Sequence, residues 1–290
     1  MSQATHLTSG KAGQAMSSLY IVATPIGNLE DITLRALRVL KEVCLIAAED
    51  TRTTRKLLAH HTIHTPLTSY HDHNRKQKLP AILQALEKGD VALVSDAGTP
   101  SISDPGLELV QAAAERGIPV LSIPGPSAVT TALAVSGLPA DRFLFLGFLP
   151  RRKGERQALL QSIAGLPYPL VIFEAPHRLR QTLADLREIM GDRPLAAVRE
   201  ATKLYEEVFR GTLSQGLEHF AQPRGEFTLV IGDNREEEAP PSLEAEANLR
   251  TLLGQGVPSR EAREQVAAST GMPRRELYRM WLRLKREGQD

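Results

Sequence analysis

Between residues 18 and 136, short apolar runs alternate with longer amphipathic ones, and that alternation constrains the fold more than any other feature of the chain. The runs at 19–24, 44–49, 91–96 and 119–123 are strand-like and bounded by turn formers. Between the first two, the stretch 31–43 sets Ala36, Val39, Leu40 and Val43 at i, i+3, i+4 and i+7, the stripe of a helix with one buried face. The stretches 74–88 and 107–117 read the same way and end at Gly89 and Gly117. Nearly continuous apolar strands alternating with helices specify a parallel sheet covered on both faces, an α/β domain.

A break is expected around Gly137-Leu138-Pro139-Ala140-Asp141. Beyond it, apolar runs at 143–148, 169–175, 194–200, 207–213 and 226–233 are joined by helical stretches at 155–164, 177–190 and 213–221. The runs at 194 and 207 are too close for a crossover helix, so antiparallel pairing is expected in this second α/β unit. An acidic, proline-bearing linker begins at Glu236, and the last fifty residues have no strand pattern. Leu249, Leu252 and Leu253 mark one helix. A second is capped by Ser259 and ends at Gly271. Pro273 opens a third, with Leu277, Trp281 and Leu284 inward and Arg274 and Arg275 leading. That is either a helix-turn-helix or a small dimerisation or capping bundle. The expected organisation is a disordered tail at 1–16, with Met16 a candidate start; an N-terminal α/β domain at 17–138; a second at 139–235; and a helix-turn-helix-like domain at 241–290.

Composition first argues against a nucleic-acid partner, since Lys+Arg number 35 against 34 Asp+Glu for a net charge of +1. By segment the balance is uneven. Residues 51–80 carry six basic groups and one acid, 142–160 five and one, and 271–286 six and one, while 81–141 carry two basic groups and seven acids. Three separated basic blocks favour an anionic partner. One cysteine, Cys44, excludes a disulfide framework and fits a cytoplasmic protein. No apolar run approaches the roughly 20 residues of a membrane span, and 1–16 lacks the apolar core of a secretory signal.

Neither GxGxxG after a strand nor GxxxxGK[ST] occurs, which disfavours dinucleotide dehydrogenases and P-loop enzymes. Other turns follow the strands: Thr24-Pro25-Ile26-Gly27-Asn28, Glu49-Asp50-Thr51-Arg52, Ser95 to Pro100, and Pro124 to Ala128. In a parallel sheet all of them project from the carboxyl edge, where ligands bind. Glu49, Asp50 and Arg52 either orient a substrate hydroxyl or a sugar, or cap the following helix through Asp50 or Thr51. His60, His61, His64, His71 and His73 cluster, but no carboxylate or cysteine spacing completes a metal site, so no metal is expected.

The segments VATPIGNLEDITLRAL, AEDTRTTRKLL, SYHDHN, VSDAGTPSISDPG, PGPSAV, GFLPRR, FEAPHRL, EATKLYEEVFRGTL and RGEFTLVIG, in order from about Leu19 to Asn234, resemble the tetrapyrrole methylase superfamily. AEDTR and SDAGTP are similar to its branch that acts on ribosomal RNA. The resemblance implies an S-adenosylmethionine-dependent enzyme of two α/β domains with the cofactor in the cleft between them. It implies 2′-O-methylation of a cytidine ribose in 16S ribosomal RNA near the decoding centre, by a homodimer. Carried over onto this sequence, Pro25 and Gly27, then Asp96, Ala97, Gly98 and Thr99, then Ser127 and Ala128 bind cofactor, with Ala201 and Phe227 from the second domain.

The resemblance does not fix the catalytic groups. From chemistry alone, Glu49, Asp50 and Arg52 are expected to orient the ribose, and Lys203 or His177 to assist deprotonation. Arg52, Arg55, His71, His73, Arg151, Arg152, Lys153, Arg274 and Arg275 are expected to contact RNA. Two other readings stand beside this one: a methyltransferase of a small tetrapyrrole-type molecule, which needs neither basic blocks nor a terminal helical domain, and a non-catalytic RNA-binding protein.

Overall fold

The computed structural model describes residues 17–233 and 241–287, so the tail at 1–16 and the linker at 236–240 lie outside the described residues. The chain falls into two compact units that part after Asp233.

In the first unit, β1 (Leu19–Val22), β2 (Leu45–Ala48), β3 (Leu67–Ser69), β4 (Val91–Val94) and β5 (Val120–Ile123) form one sheet in the order β3-β2-β4-β1-β5. Every pairing in it is parallel. Helices α1 (Leu34–Glu42), α2 (Thr51–His60), α3 (Arg75–Leu86) and α4 (Leu107–Glu115) connect the strands. Ala36, Val39 and Leu40 of α1 are buried on Ile46, Ala92 and Val94, while Leu109 and Ala113 of α4 pack with Leu19 and Leu93 on the opposite face. Both faces of the sheet are therefore dry, as its all-apolar central strands require.

The helix α5 (Ala128–Ser136) follows β5 but does not cover the first sheet. Val129, Ala132 and Leu133 pack against Val171, Ala196, Val198 and Val230. These belong to a second sheet of β6 (Leu144–Phe148), β7 (Leu170–Glu174), β8 (Pro194–Arg199), β9 (Glu207–Thr212) and β10 (Phe227–Ile231), in the order β6-β7-β10-β8-β9. Only β6 and β7 run parallel, and β8 and β9 form the expected antiparallel pair. On its other face lie α6 (Lys153–Ile163), α7 (Pro176–Met190) and α8 (Leu213–His219), through Leu160, Leu179, Leu183 and Leu213. Residues from both sides of the break expected near 138 thus share one core.

The second unit holds α9 (Pro241–Gly254), α10 (Ser259–Thr270) and α11 (Arg274–Glu287). Its core is Ala245, Leu249, Ala262, Val266, Leu277, Trp281 and Leu284, and Arg274 and Arg275 are exposed on the first turn of α11. Ser259 is not the cap that the sequence suggests. Pro258, in extended backbone, occupies the cap position, and the Ser259 hydroxyl has no hydrogen-bond partner. Among the described residues no helix is long and apolar enough to cross a membrane.

Candidate active site

The turns at the carboxyl edge of the first sheet are laced together. Thr24 and Gly98 exchange backbone hydrogen bonds of 2.9 and 3.0 Å, and the Thr24 hydroxyl donates to the Ser95 carbonyl at 3.1 Å. The Asp96 N–H donates to the Glu49 carboxylate at 3.3 Å, and the Asp50 N–H donates to Asp96 Oδ1 at 3.1 Å. These turns form one wall of a cavity of about 540 Å³, to which Ile26, Glu49, Asp96–Thr99, Asp104, Ser127 and Ala128 contribute. The opposite wall comes from the second sheet and its loops, through Phe148, Phe173, Val198, Ala201, Lys203 and Phe227.

The first wall is anionic. Burial raises the Glu49 carboxyl above the usual range, and the neighbouring charges of Asp96, Asp72 and Asp50 add to it. Burial also raises Asp96. Asp104 is pushed up to about 6, chiefly by burial and then by the charge of Glu49. Crowded carboxylates facing the apolar side chains of Phe173, Val198 and Phe227 suit a ligand that is both cationic and partly aromatic.

Both walls include strained backbone. Ser101 and Ser103 have φ of 70° and 63°, and Glu200 and Thr202 have φ of 49° and 67°, in the left-handed region that side chains disfavour. Each pair brackets a residue lining the cavity, Ile102 in one case and Ala201 in the other.

Of the residues expected to hold a cofactor, Asp96, Ala97, Gly98, Thr99, Ser127, Ala128, Ala201 and Phe227 all line the cavity. Pro25 and Gly27 do not. Pro25 is buried, Ile26 takes the lining position between them, and Gly27 packs on residues 201–203.

The expected catalytic residues separate. Glu49 and Lys203 line the cavity. Asp50 and Arg52 face one another at 2.6 Å, and Asp50 caps α2 by accepting from the Arg52 N–H, the alternative that the sequence left open. Lys203 bonds Glu226 at 2.7 Å and Glu200 at 3.0 Å. Burial pulls its ammonium down, but these two partners outweigh that and raise it, so it is held as a cation between two carboxylates. His177 lines a separate cleft of about 940 Å³ with Arg151, Lys153 and Arg178.

Among the expected RNA contacts, Arg55, Arg151, Arg152 and Lys153 are exposed, and Arg152 is paired with Glu155 at 3.1 Å. His71 and His73 lie 6.0 Å apart, ring to ring, on the loop whose Asp72 perturbs Glu49. Among the described residues no three His, Cys, Asp or Glu side chains gather as metal ligands. Sequence reasoning missed Asp104 and Phe148. The signal for Asp104 was a second carboxylate within the segment VSDAGTPSISDPG, between a serine and a proline.

Comparison with known proteins supplies the remaining finding. Residues 18–216 match the family model described as Tetrapyrrole (Corrin/Porphyrin) Methylases. The chain is 49% identical to ribosomal RNA small subunit methyltransferase I of Synechocystis, over 94% of this chain and all of that one. It is 52% identical to the Thermotoga maritima protein of the same name, over 74% of this chain and 98% of that one. Uroporphyrin-III C-methyltransferase from Thermus thermophilus, solved with S-adenosyl homocysteine, aligns with a TM-score of 0.55 over 74% of this chain and 97% of its own, and at 22% identity it shows the shared fold.

Proposed function

The chain belongs to the tetrapyrrole methylases, and from that premise we propose that it methylates the 2′-oxygen of a cytidine ribose in 16S ribosomal RNA, near the decoding centre, using S-adenosylmethionine. The observation that carries this reading is a carboxylate-walled cavity next to a cleft lined by cationic side chains, in a chain about half identical to proteins named for small-subunit ribosomal RNA methylation. A small tetrapyrrole needs no such cationic cleft.

The cavity fits the cofactor by chemistry: an anionic wall for its positive centres and an apolar wall for its adenine. Asp96, Ala97, Gly98, Thr99, Ser127, Ala128, Ala201 and Phe227 would hold it. Bound there, S-adenosylmethionine supplies an electrophilic methyl group. The chain's own residues must then align the ribose oxygen, exclude water and take its proton, and alignment supplies the larger share of the barrier reduction. We assign proton acceptance to Asp104, whose carboxyl near 6 is ionised at neutral pH yet more basic than an ordinary carboxylate. Glu49 orients the hydroxyl, and Lys203 stabilises the developing oxyanion. Asp50 acts on Asp96 through its backbone N–H, and Arg52 holds the Asp50 carboxylate.

A cytoplasmic homodimer completes the proposal. Leu34, Leu204 and Tyr205 are strongly exposed in the single chain and offer apolar surface for a second copy. Mass-spectrometric mapping of ribose methylation on 16S RNA, from cells with and without this chain, tests the activity. A 2′-O-methylcytidine that vanishes without the chain is the expected result, and an unchanged map overturns it. Light scattering of the purified protein tests the dimer.

A further inference from the structure

One aromatic side chain stands where the anionic cavity and the cationic cleft meet. Phe148 and Ala175 line both. Phe148 is the last residue of β6 and is 57% exposed, although a phenylalanine at a strand end next to a core is ordinarily covered. The strand turns it outward by a β-bulge. The register with β7 shifts between Phe145 and Gly147, and Gly147 has φ of 62°. A Cβ at 147 would lie 2.6 Å from the Ser103 hydroxyl, so only glycine lets the bulge press against the 101–104 loop. Phe173 supports the Phe148 ring at 5.7 Å between centroids.

The segment that follows is equally fixed. Arg178 donates to the carbonyls of Leu149 and Pro150, and Arg156 to those of Pro150 and Arg151. Arg156 is itself buried and held by Asp185 at 2.7 Å. Two arginines are thus occupied in orienting three peptide groups. Arg151 and Lys153 remain exposed on the cleft with no side-chain partner among the described residues. A rigid, exposed aromatic face beside two free cations is a site for a base and its phosphate.

We propose that Phe148 is the stacking platform for the base of the nucleotide whose ribose enters the cavity, and that Arg151 and Lys153 grip its adjoining phosphate. This rests on the reading that the substrate is RNA. Stacking is blind to base identity, so Phe148 positions the nucleotide and sequence is read elsewhere.

The test is steady-state methyl transfer by the full-length protein to small subunits isolated from cells lacking it. Phe148→Ala and Phe148→Leu should each raise KM for the subunit roughly tenfold with little change in kcat, the expected loss of one base stack. Phe148→Tyr should restore it. Because Phe148 is 57% exposed, all three variants should melt close to wild type by scanning calorimetry, which establishes that they fold. A leucine variant with wild-type KM overturns the proposal, because leucine keeps the apolar surface and loses only the ring. Failure of the wild-type protein to methylate the subunit would instead overturn the functional reading itself.

Discussion

Gly27 lies directly against Lys203: a Cβ at position 27 would stand 2.5 Å from Lys203 Cγ, 2.9 Å from Thr202 Oγ1 and 3.0 Å from the Ala201 carbonyl. The first turn of one sheet therefore sets the position of the loop that closes the cavity from the other. Gly27→Ala must displace that loop, a clash worth about 1–3 kcal/mol, and cofactor affinity should fall by roughly tenfold. Titration calorimetry with S-adenosylhomocysteine checks this, and wild-type affinity would show that the Gly27 contact does not set the loop.

Asp104 gives the rate a pH dependence with a definite sign. Its carboxyl must be ionised to accept a proton, so the rate should rise about tenfold per pH unit below 6 and level off above it. Asp104→Asn should lower kcat by roughly 10²–10⁴ and abolish that limb. A pH profile of single-turnover methyl transfer decides the matter; an unchanged limb in the asparagine variant would reassign it.

The same residue should trade stability for activity. Folded Asp104 keeps its proton up to about 6, whereas the unfolded chain releases it near 3.8. The folded state binds more protons between those values, so this group's contribution to stability declines as pH rises through that window and stays low above it. Because Asp104 is only partly buried, the cost at neutral pH is about 1 kcal/mol after solvent screening. Asp104→Asn should therefore melt slightly higher than wild type at pH 8 and show no gain at pH 4, by scanning calorimetry.

Arg151 and Lys153 face the second cleft, whereas Arg152 is tied to Glu155. The double variant Arg151→Ala with Lys153→Ala should weaken RNA binding and reduce the slope of log affinity against log salt by about 1–2. Arg152→Ala should change the slope less than either. Filter binding across a salt series measures both, and equal slopes in all variants would place the phosphates elsewhere.

Asp185 neutralises Arg156 inside the α6–α7 interface, with side-chain exposures of 1% and 5%. Asp185→Ala leaves a buried cation unpaired, at a cost of about 3–5 kcal/mol. Chemical denaturation should register that loss, and RNA binding should suffer with it because Arg156 also holds the Pro150 and Arg151 carbonyls.

Strands and helices with clear periodicity were legible in the sequence, and so were most of the turns lining the cavity, because Gly, Pro and Asp at strand ends have few other uses. Three features were not. Strand β3, Leu67–Ser69, is three half-buried residues with no apolar pattern to betray it. Helix α5 is AVTTALAVS, apolar on nearly every side, so its sequence does not say which sheet it will cover, and it covers the second. Asp104 lines the cavity from a loop in which Ser101 and Ser103 adopt positive φ, a conformation that local propensity does not favour.

The four non-glycine residues at positive φ in the two walls of the cavity have a bearing on engineering and descent. Each left-handed side-chain-bearing residue costs about 1–3 kcal/mol that a glycine would relieve. A thermostability campaign guided by melting temperature alone would therefore be drawn to Ser101, Ser103, Glu200 and Thr202. Glycine there would also free the backbone to wander, and the two walls would lose the fixed separation on which alignment of the reacting atoms depends. Selection for robustness and selection for turnover should pull these four positions in opposite directions.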